Sequence, residues 1–98
     1  MSQPEHWRRK AVMDMNPGED LTFYDQFDDC IIGIVERFGM EPSVCYDREK
    51  VLQVLMNSGL TGEEAVEWYE YNTLGGWVGD TTPAFLDPIA RDINGYNS

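Results

Sequence analysis

Residues 47–72 read DREKVLQVLMNSGLTGEEAVEWYEYN and predict two consecutive helices joined by a short link. In the first helix, apolar residues recur at helical spacing after Asp47, a favoured N-cap residue, and the NSG of residues 57–59 ends it. In the second helix, Thr61 with Glu64 three residues later forms a capping-box pattern. Because so few residues separate the two helices, they should pack against each other as a hairpin or a corner.

The second helix has an apolar side and an acidic side. At 3.6 residues per turn, the inner side carries Ala65, Val66 and Tyr69, and the outer side carries Glu63, Glu67 and Glu70. Trp68 and Tyr71 fall on the flank, next to Glu64 and Glu67. The glycine pair at 75–76 should end the helix, since a glycine in a helix interior costs about 1 kcal/mol.

Residues 28–39, DDCIIGIVERFG, are compatible with either a helix or a strand. Four apolar residues have helical spacing, namely Ile31, Ile34, Val35 and Phe38, and Gly39 would be the stop. The β-branched residues and Gly33 favour a strand instead, and SVCYD at 43–47 has the right length to pair back with it. We prefer the β-hairpin.

The C-terminal part adds one more short element. Thr82 precedes Pro83 and is therefore biased toward extended backbone, so AFL at 84–86 predicts a short edge strand beside the hairpin. The predicted fold class is α+β, a small single domain with a β-hairpin, two packed helices and a short C-terminal edge strand. The predicted domain spans residues 21–98.

Residues 1–20 are predicted to form an N-terminal arm that is extended or partly helical and is followed by a turn at residues 16–20. They contain prolines, a glycine and an acidic pair, and they show no sustained apolar period. Trp7, Met13 and Met15 are candidate anchors, and a mobile tail with a hydrophobic anchor is the favoured interpretation.

The charge of the chain is strongly negative. Its 98 residues include 18 acidic and 7 basic side chains, for a formal net charge of -11, yet the apolar content of 42% is too high for a disordered acidic tail. Three of the basic residues, Arg8, Arg9 and Lys10, lie in the arm. Because nucleic-acid binding depends on Lys and Arg that neutralise phosphates, direct nucleic-acid binding is disfavoured, and a partner should be a basic protein surface.

The cysteines and the histidine do not form a metal-site pattern. Cys30 and Cys45 lie apart between apolar residues, and His6 is in the arm, so we expect buried thiols, no metal and no cofactor. If their segments form a hairpin, the two cysteines could face each other. No signal-peptide core and no apolar run of roughly twenty residues is present, so we expect a soluble protein in the host-cell cytoplasm, not in a membrane.

Catalytic patterns are weak, and we expect a protein that is not an enzyme. No serine or cysteine has a plausible histidine partner, and the glycines at 75–79 lack the lysine of a phosphate-binding loop. The carboxylates of the second helix occupy successive turns, which is typical of a solvated face. A carboxylate pair in a small hydrolase or nucleotide binder remains an alternative.

The better candidate is a partner-binding surface that combines rings and carboxylates. Aromatic rings would supply contact area, and carboxylates would steer a basic partner. The competing interpretation is that the rings only cover the edge of the core or close a homodimer. The candidate residues are Glu63, Glu64, Glu67, Trp68, Glu70, Tyr71, Trp77 and Asp80.

Several ordered motifs also resemble a known group of proteins. An IIG…ER.G segment, a YD..K...L segment, an EEAVE helix and an N..G..VG..TP ending span about residues 28–86. In this order they resemble a group of small uncharacterised phage, prophage and bacterial proteins. The resemblance implies an origin in a phage or mobile element.

These observations lead to one functional expectation and two alternatives. The expectation is a phage-encoded, anti-CRISPR-like inhibitor that occupies the basic surface of a host defence or nucleic-acid-binding protein. The first alternative is a homodimeric structural or assembly protein of phage origin, and the second is the carboxylate-dependent hydrolase or nucleotide binder.

Overall fold

A three-stranded mixed sheet with β2 at its centre organises the chain. The computed structural model describes residues 6–74, 76, 79 and 81–89. Strand β1 (Ile31–Val35) pairs antiparallel with β2 (Ser43–Asp47), and β3 (Ala84–Leu86) pairs parallel with β2 on its other side. The α+β class, the preferred hairpin and the short C-terminal edge strand are therefore confirmed.

The hairpin resolves the ambiguity of the IIGIVERFG segment in favour of a strand. Ile31 lies opposite Tyr46 and Gly33 lies opposite Cys45, so Ile32 is an extra residue that forms a β-bulge. A bulge on an outer strand twists the edge away from further pairing. The chain turns through residues 36–42, where Gly39 has a φ of +78°, a conformation that side chains rarely adopt.

Two helices follow β2 as predicted. Helix α2 (Arg48–Asn57) begins after Asp47, whose carboxylate accepts hydrogen bonds from two backbone N–H groups of the first turn. Helix α3 (Gly62–Tyr69) begins with the complete capping box of Thr61 and Glu64. The helical run then widens into a π-helical turn, Glu70–Leu74, which the sequence analysis did not predict.

The core is formed by side chains of the sheet together with side chains of helices α2 and α3 and of the segment that precedes β1. Its centre is aromatic: the Tyr46 ring stacks on Phe85 at 5.6 Å, and Phe85 meets Tyr69 edge-on at 5.3 Å. The buried core residues are Val12, Phe27, Cys30, Ile31, Val44, Tyr46, Val51, Leu55, Ala65 and Tyr69.

The N-terminal segment contributes a helix that packs on the body. Helix α1 (Trp7–Met15) contacts β1 and a short 3₁₀ helix, Asp25–Cys30. Val12 is its buried side chain, whereas the expected anchors Trp7 and Met15 are 65% and 64% exposed. The described part of the arm is therefore attached through Val12 and through polar contacts, not through those residues.

The polar contacts of α1 are made by arginines. Arg8 donates from Nη1 to the carbonyl oxygen of Ile31 at 2.8 Å. Arg9 donates from Nη2 to Asp25 and to Asp28, both at 2.9 Å, and the hydrogen bond to Asp28 raises the pKa of Arg9.

Both cysteines are buried free thiols, as expected. Burial raises the pKa of Cys30 to about 11, and it also raises the pKa of Cys45. Both groups therefore stay protonated and unreactive at neutral pH.

Candidate partner-binding site

A surface groove of about 680 Å³ runs along α3 and the π-helical turn. Glu67, Trp68 and Tyr71 follow Glu64 by three, four and seven positions, the spacing of residues that share one side of a helix. This feature, called the α3 groove below, is lined by Leu60, Glu64, Glu67, Trp68, Glu70, Tyr71 and Asn72.

The two rings of the α3 groove have different environments. Trp68 is half-buried, and its ring meets the buried Phe27 ring nearly at a right angle with centroids 6.0 Å apart. Tyr71 is 85% exposed. Trp68 is therefore fixed by the core, while Tyr71 offers almost its whole ring to a partner.

The carboxylates along α3 have no basic partner within the described part of the chain. The ion pairs found there use other acidic residues, namely Asp14, Asp25, Asp28, Asp29 and Asp87. Glu64 accepts a hydrogen bond from the Thr61 N–H at 2.9 Å, whereas Glu67 and Glu70 are exposed. The groove therefore carries negative charge that the described basic side chains do not neutralise.

Local packing fixes the direction in which α3 presents this surface. Ala65 and Tyr69 are buried on the opposite side of the helix and hold it against the core. Thr73 is also buried and donates its hydroxyl to the Tyr69 carbonyl, and Asn72 donates from Nδ2 to the Trp68 carbonyl at 3.1 Å. These bonds accompany the π-helical turn, a feature that is frequent at functional sites.

The structure brings together five of the eight residues predicted for the partner-binding surface. Glu63 is exposed on the first turn of α3 but does not line the groove. Trp77 and Asp80 lie outside the described residues. The five residues that meet in the groove are Glu64, Glu67, Trp68, Glu70 and Tyr71.

Sequence analysis missed two lining residues. Leu60, the residue before the N-cap of α3, lines the groove with Glu64 and Trp68 although it was not among the predicted residues. Asn72, which donates to the Trp68 carbonyl, also borders the groove and was likewise not among the predicted residues.

The described residues offer neither a metal site nor a membrane span. No group of three or more His, Cys, Asp or Glu among them is placed to hold a metal ion. His6 contacts Asp29 at 2.5 Å. Within the same residues, no helix has the length and apolar character needed to cross a membrane.

Comparisons with known proteins were made on sequence and on structure. Scans against protein-family models, curated proteins and solved structures found no match to this chain.

Proposed function

We propose that this protein is a small acidic binding protein without enzymatic activity that occupies a basic surface of a host protein and inhibits it. The target class is a defence or nucleic-acid-binding protein. The observation that carries the proposal is the α3 groove, where an exposed ring, a half-buried ring and carboxylates without described basic partners lie together.

The physical basis is competition for cationic side chains. Nucleic-acid-binding grooves are lined with Lys and Arg, which neutralise phosphates. Glu63 and Glu67 on α3 and Glu70 just after it follow one another at helical spacing, so the Cβ atoms of neighbouring residues lie about 5–6 Å apart. A row of this kind attracts the same cations, and the net charge of -11 speeds the encounter.

Rings beside the charges supply affinity that charge alone does not. Exposed ion pairs contribute little free energy because water and salt screen them. Burial of the Tyr71 ring removes apolar area from water, and aromatic residues are typical anchors of interfaces. The groove thus combines long-range attraction with a contact that slows dissociation.

The resemblance to phage and prophage proteins supports the biological setting of the proposal. A phage product that blocks a nucleic-acid-binding defence protein would act in the cytoplasm of the host cell. On this basis we propose an anti-CRISPR-like role for the chain.

Charge reversal on α3 tests the proposal. A partner captured from a bacterial host lysate is purified, and its affinity for the chain is measured together with displacement of its nucleic acid. We expect the triple variant E63K/E67K/E70K to lose both binding and displacement, because it repels a basic surface.

A matched variant controls for net charge. E19K/D20K/E41K makes the same change in total charge at exposed residues outside the α3 groove, so it should retain most of the affinity. Circular dichroism and urea unfolding establish that both variants fold. Equal affinity of the α3 variant and the wild type would refute the proposal.

A further inference from the structure

Helix α1 shows how this chain holds an arginine side chain. The guanidinium carbon of Arg9 lies 4.3 Å from the centre of the Phe23 ring. The same group donates hydrogen bonds to the carboxylates of Asp25 and Asp28 at 2.9 Å. A ring face on one side and carboxylates at the edge satisfy both the planar surface and the N–H groups of a guanidinium.

A second arginine has the same two kinds of neighbour. Arg48 lies over the Tyr69 ring at 5.3 Å and pairs with Asp87 at 3.7 Å. Arg9 and Arg48 are therefore each held by an aromatic ring together with at least one carboxylate.

The α3 groove contains both components without the cation. Trp68 and Tyr71 supply rings, and Glu67 and Glu70 supply carboxylates next to them. None of its described lining residues is an arginine or a lysine. The charge of the groove therefore favours a cationic occupant from another molecule over an anionic one.

We propose that the α3 groove is an arginine site, in which a guanidinium of the partner protein stacks on the exposed Tyr71 ring and donates hydrogen bonds to Glu67 or Glu70. The inference rests on the proposed function and names the side chain that the groove selects. The groove is an open surface depression of about 680 Å³, so a side chain on the surface of a partner protein can reach it.

Arginine fits this site better than lysine for physical reasons. A guanidinium is planar, is weakly hydrated and presents several N–H groups in a fixed fork, so it stacks and bonds at the same time. An ammonium is a strongly hydrated point charge and loses more hydration on entering the groove. A second copy of this chain is a poor occupant, because two molecules of charge -11 repel each other.

Two labelled peptides of identical length, one carrying arginines and the other lysines at the same positions, test the inference. Fluorescence anisotropy at low ionic strength measures their affinity for the full chain. We expect the arginine peptide to bind about fivefold more tightly, the ratio that corresponds to roughly 1 kcal/mol of stacking at a partly exposed ring.

The decisive variant is Tyr71→Ala, which removes an exposed ring and leaves the core intact. In this variant, the ratio of the affinity for the arginine peptide to the affinity for the lysine peptide should fall to nearly one. Phe38→Ala is the matched control, because Phe38 is fully exposed in the β1–β2 loop, outside the groove, and its removal should leave the preference unchanged.

Each contrary outcome has a distinct meaning. Equal binding of the two peptides by the wild type overturns the arginine site but leaves the proposed function in place. Binding of neither peptide overturns the site and also the electrostatic basis of the proposed function. Self-association in sedimentation that Tyr71→Ala abolishes would identify a second copy as the occupant and would likewise overturn the inference.

Discussion

The hydroxyl of Tyr46 joins the central strand to the segment that precedes the 3₁₀ helix. The Tyr46 side chain is fully buried, and its hydroxyl accepts a hydrogen bond from the backbone N–H of Tyr24 at 2.8 Å. Tyr46→Phe keeps the ring and removes the acceptor, so we expect a loss of about 1–3 kcal/mol in the free energy of unfolding. Urea unfolding followed by tryptophan fluorescence measures this loss.

Tyr71→Phe is the control for that substitution. It also removes a tyrosine hydroxyl, but from a side chain that is 85% exposed, so the stability should not change. If Tyr46→Phe and Tyr71→Phe were equally stable, the buried hydrogen bond would have no energetic role.

The thiol of Cys30 makes stability depend on alkaline pH. Burial raises its pKa from the ordinary value of 9.0 to about 11 in the folded chain. Below pH 9 both states keep the proton, and no stability is lost. Between pH 9 and 11 the unfolded state releases a proton that the folded state retains, so stability falls by up to about 1.4 kcal/mol per pH unit.

Urea unfolding at intervals from pH 8 to 11 measures this dependence. Cys30→Ala removes the thiol, so its stability should fall less steeply over the same range, whatever its stability at neutral pH. Identical slopes for the variant and the wild type would contradict the assignment to Cys30.

Among the elements, helix α1 depends on the forked contacts of Arg9. Arg9→Lys keeps the positive charge but loses the planar stacking on Phe23 and the paired hydrogen bonds to Asp28. We expect local opening of α1 to become on the order of tenfold more frequent. Hydrogen exchange of the amides in residues 7–15 would report this change.

Lys10→Ala is the matched control on the same helix. Lys10 is exposed and makes only a 3.4 Å pair with Asp14 one turn away, and such pairs are weak. In Lys10→Ala, the amides of residues 7–15 should exchange as they do in the wild type. Unchanged exchange in Arg9→Lys would show that Val12 alone holds the helix.

Elements with local signals were predictable from the sequence. The capping box of Thr61 and Glu64 and the N-cap at Asp47 are complete within four residues, and both helices begin where expected. Helix α1 gave no such signal, because its contacts with Asp25 and Asp28 join residues far apart in the chain. The π-helical turn is accompanied by a buried hydrogen bond from Thr73 to the preceding turn, and no periodic pattern in the sequence reveals either feature.

The candidate site was predictable to the extent that it lies on one helix. Helical spacing alone brings Glu64, Glu67, Trp68 and Tyr71 to one side of α3. The burial of Trp68 depends on its contact with Phe27, a residue that is distant from it in the sequence. Spacing therefore predicts which residues meet, but not how exposed each one is.

Over the whole molecule, negative charge is compensated unevenly. Arg9 and His6 contact Asp25, Asp28 and Asp29 near the 3₁₀ helix. In the described part of the chain, the carboxylates along α3 have no such partners. Other exposed carboxylates there, such as Glu19, Glu41 and Glu49, also lack an ion pair, so the rings beside the α3 carboxylates are what favour this side for a cationic partner. Binding of such a partner should weaken as salt screens the attraction.

The most direct measurement of this claim is a nuclear magnetic resonance titration of the isotope-labelled chain with the arginine peptide. The account predicts that the largest amide shift changes fall within residues 60–72, together with the indole N–H of Trp68. Changes spread over all acidic segments, or centred on residues 25–29 with 60–72 unaffected, would contradict it.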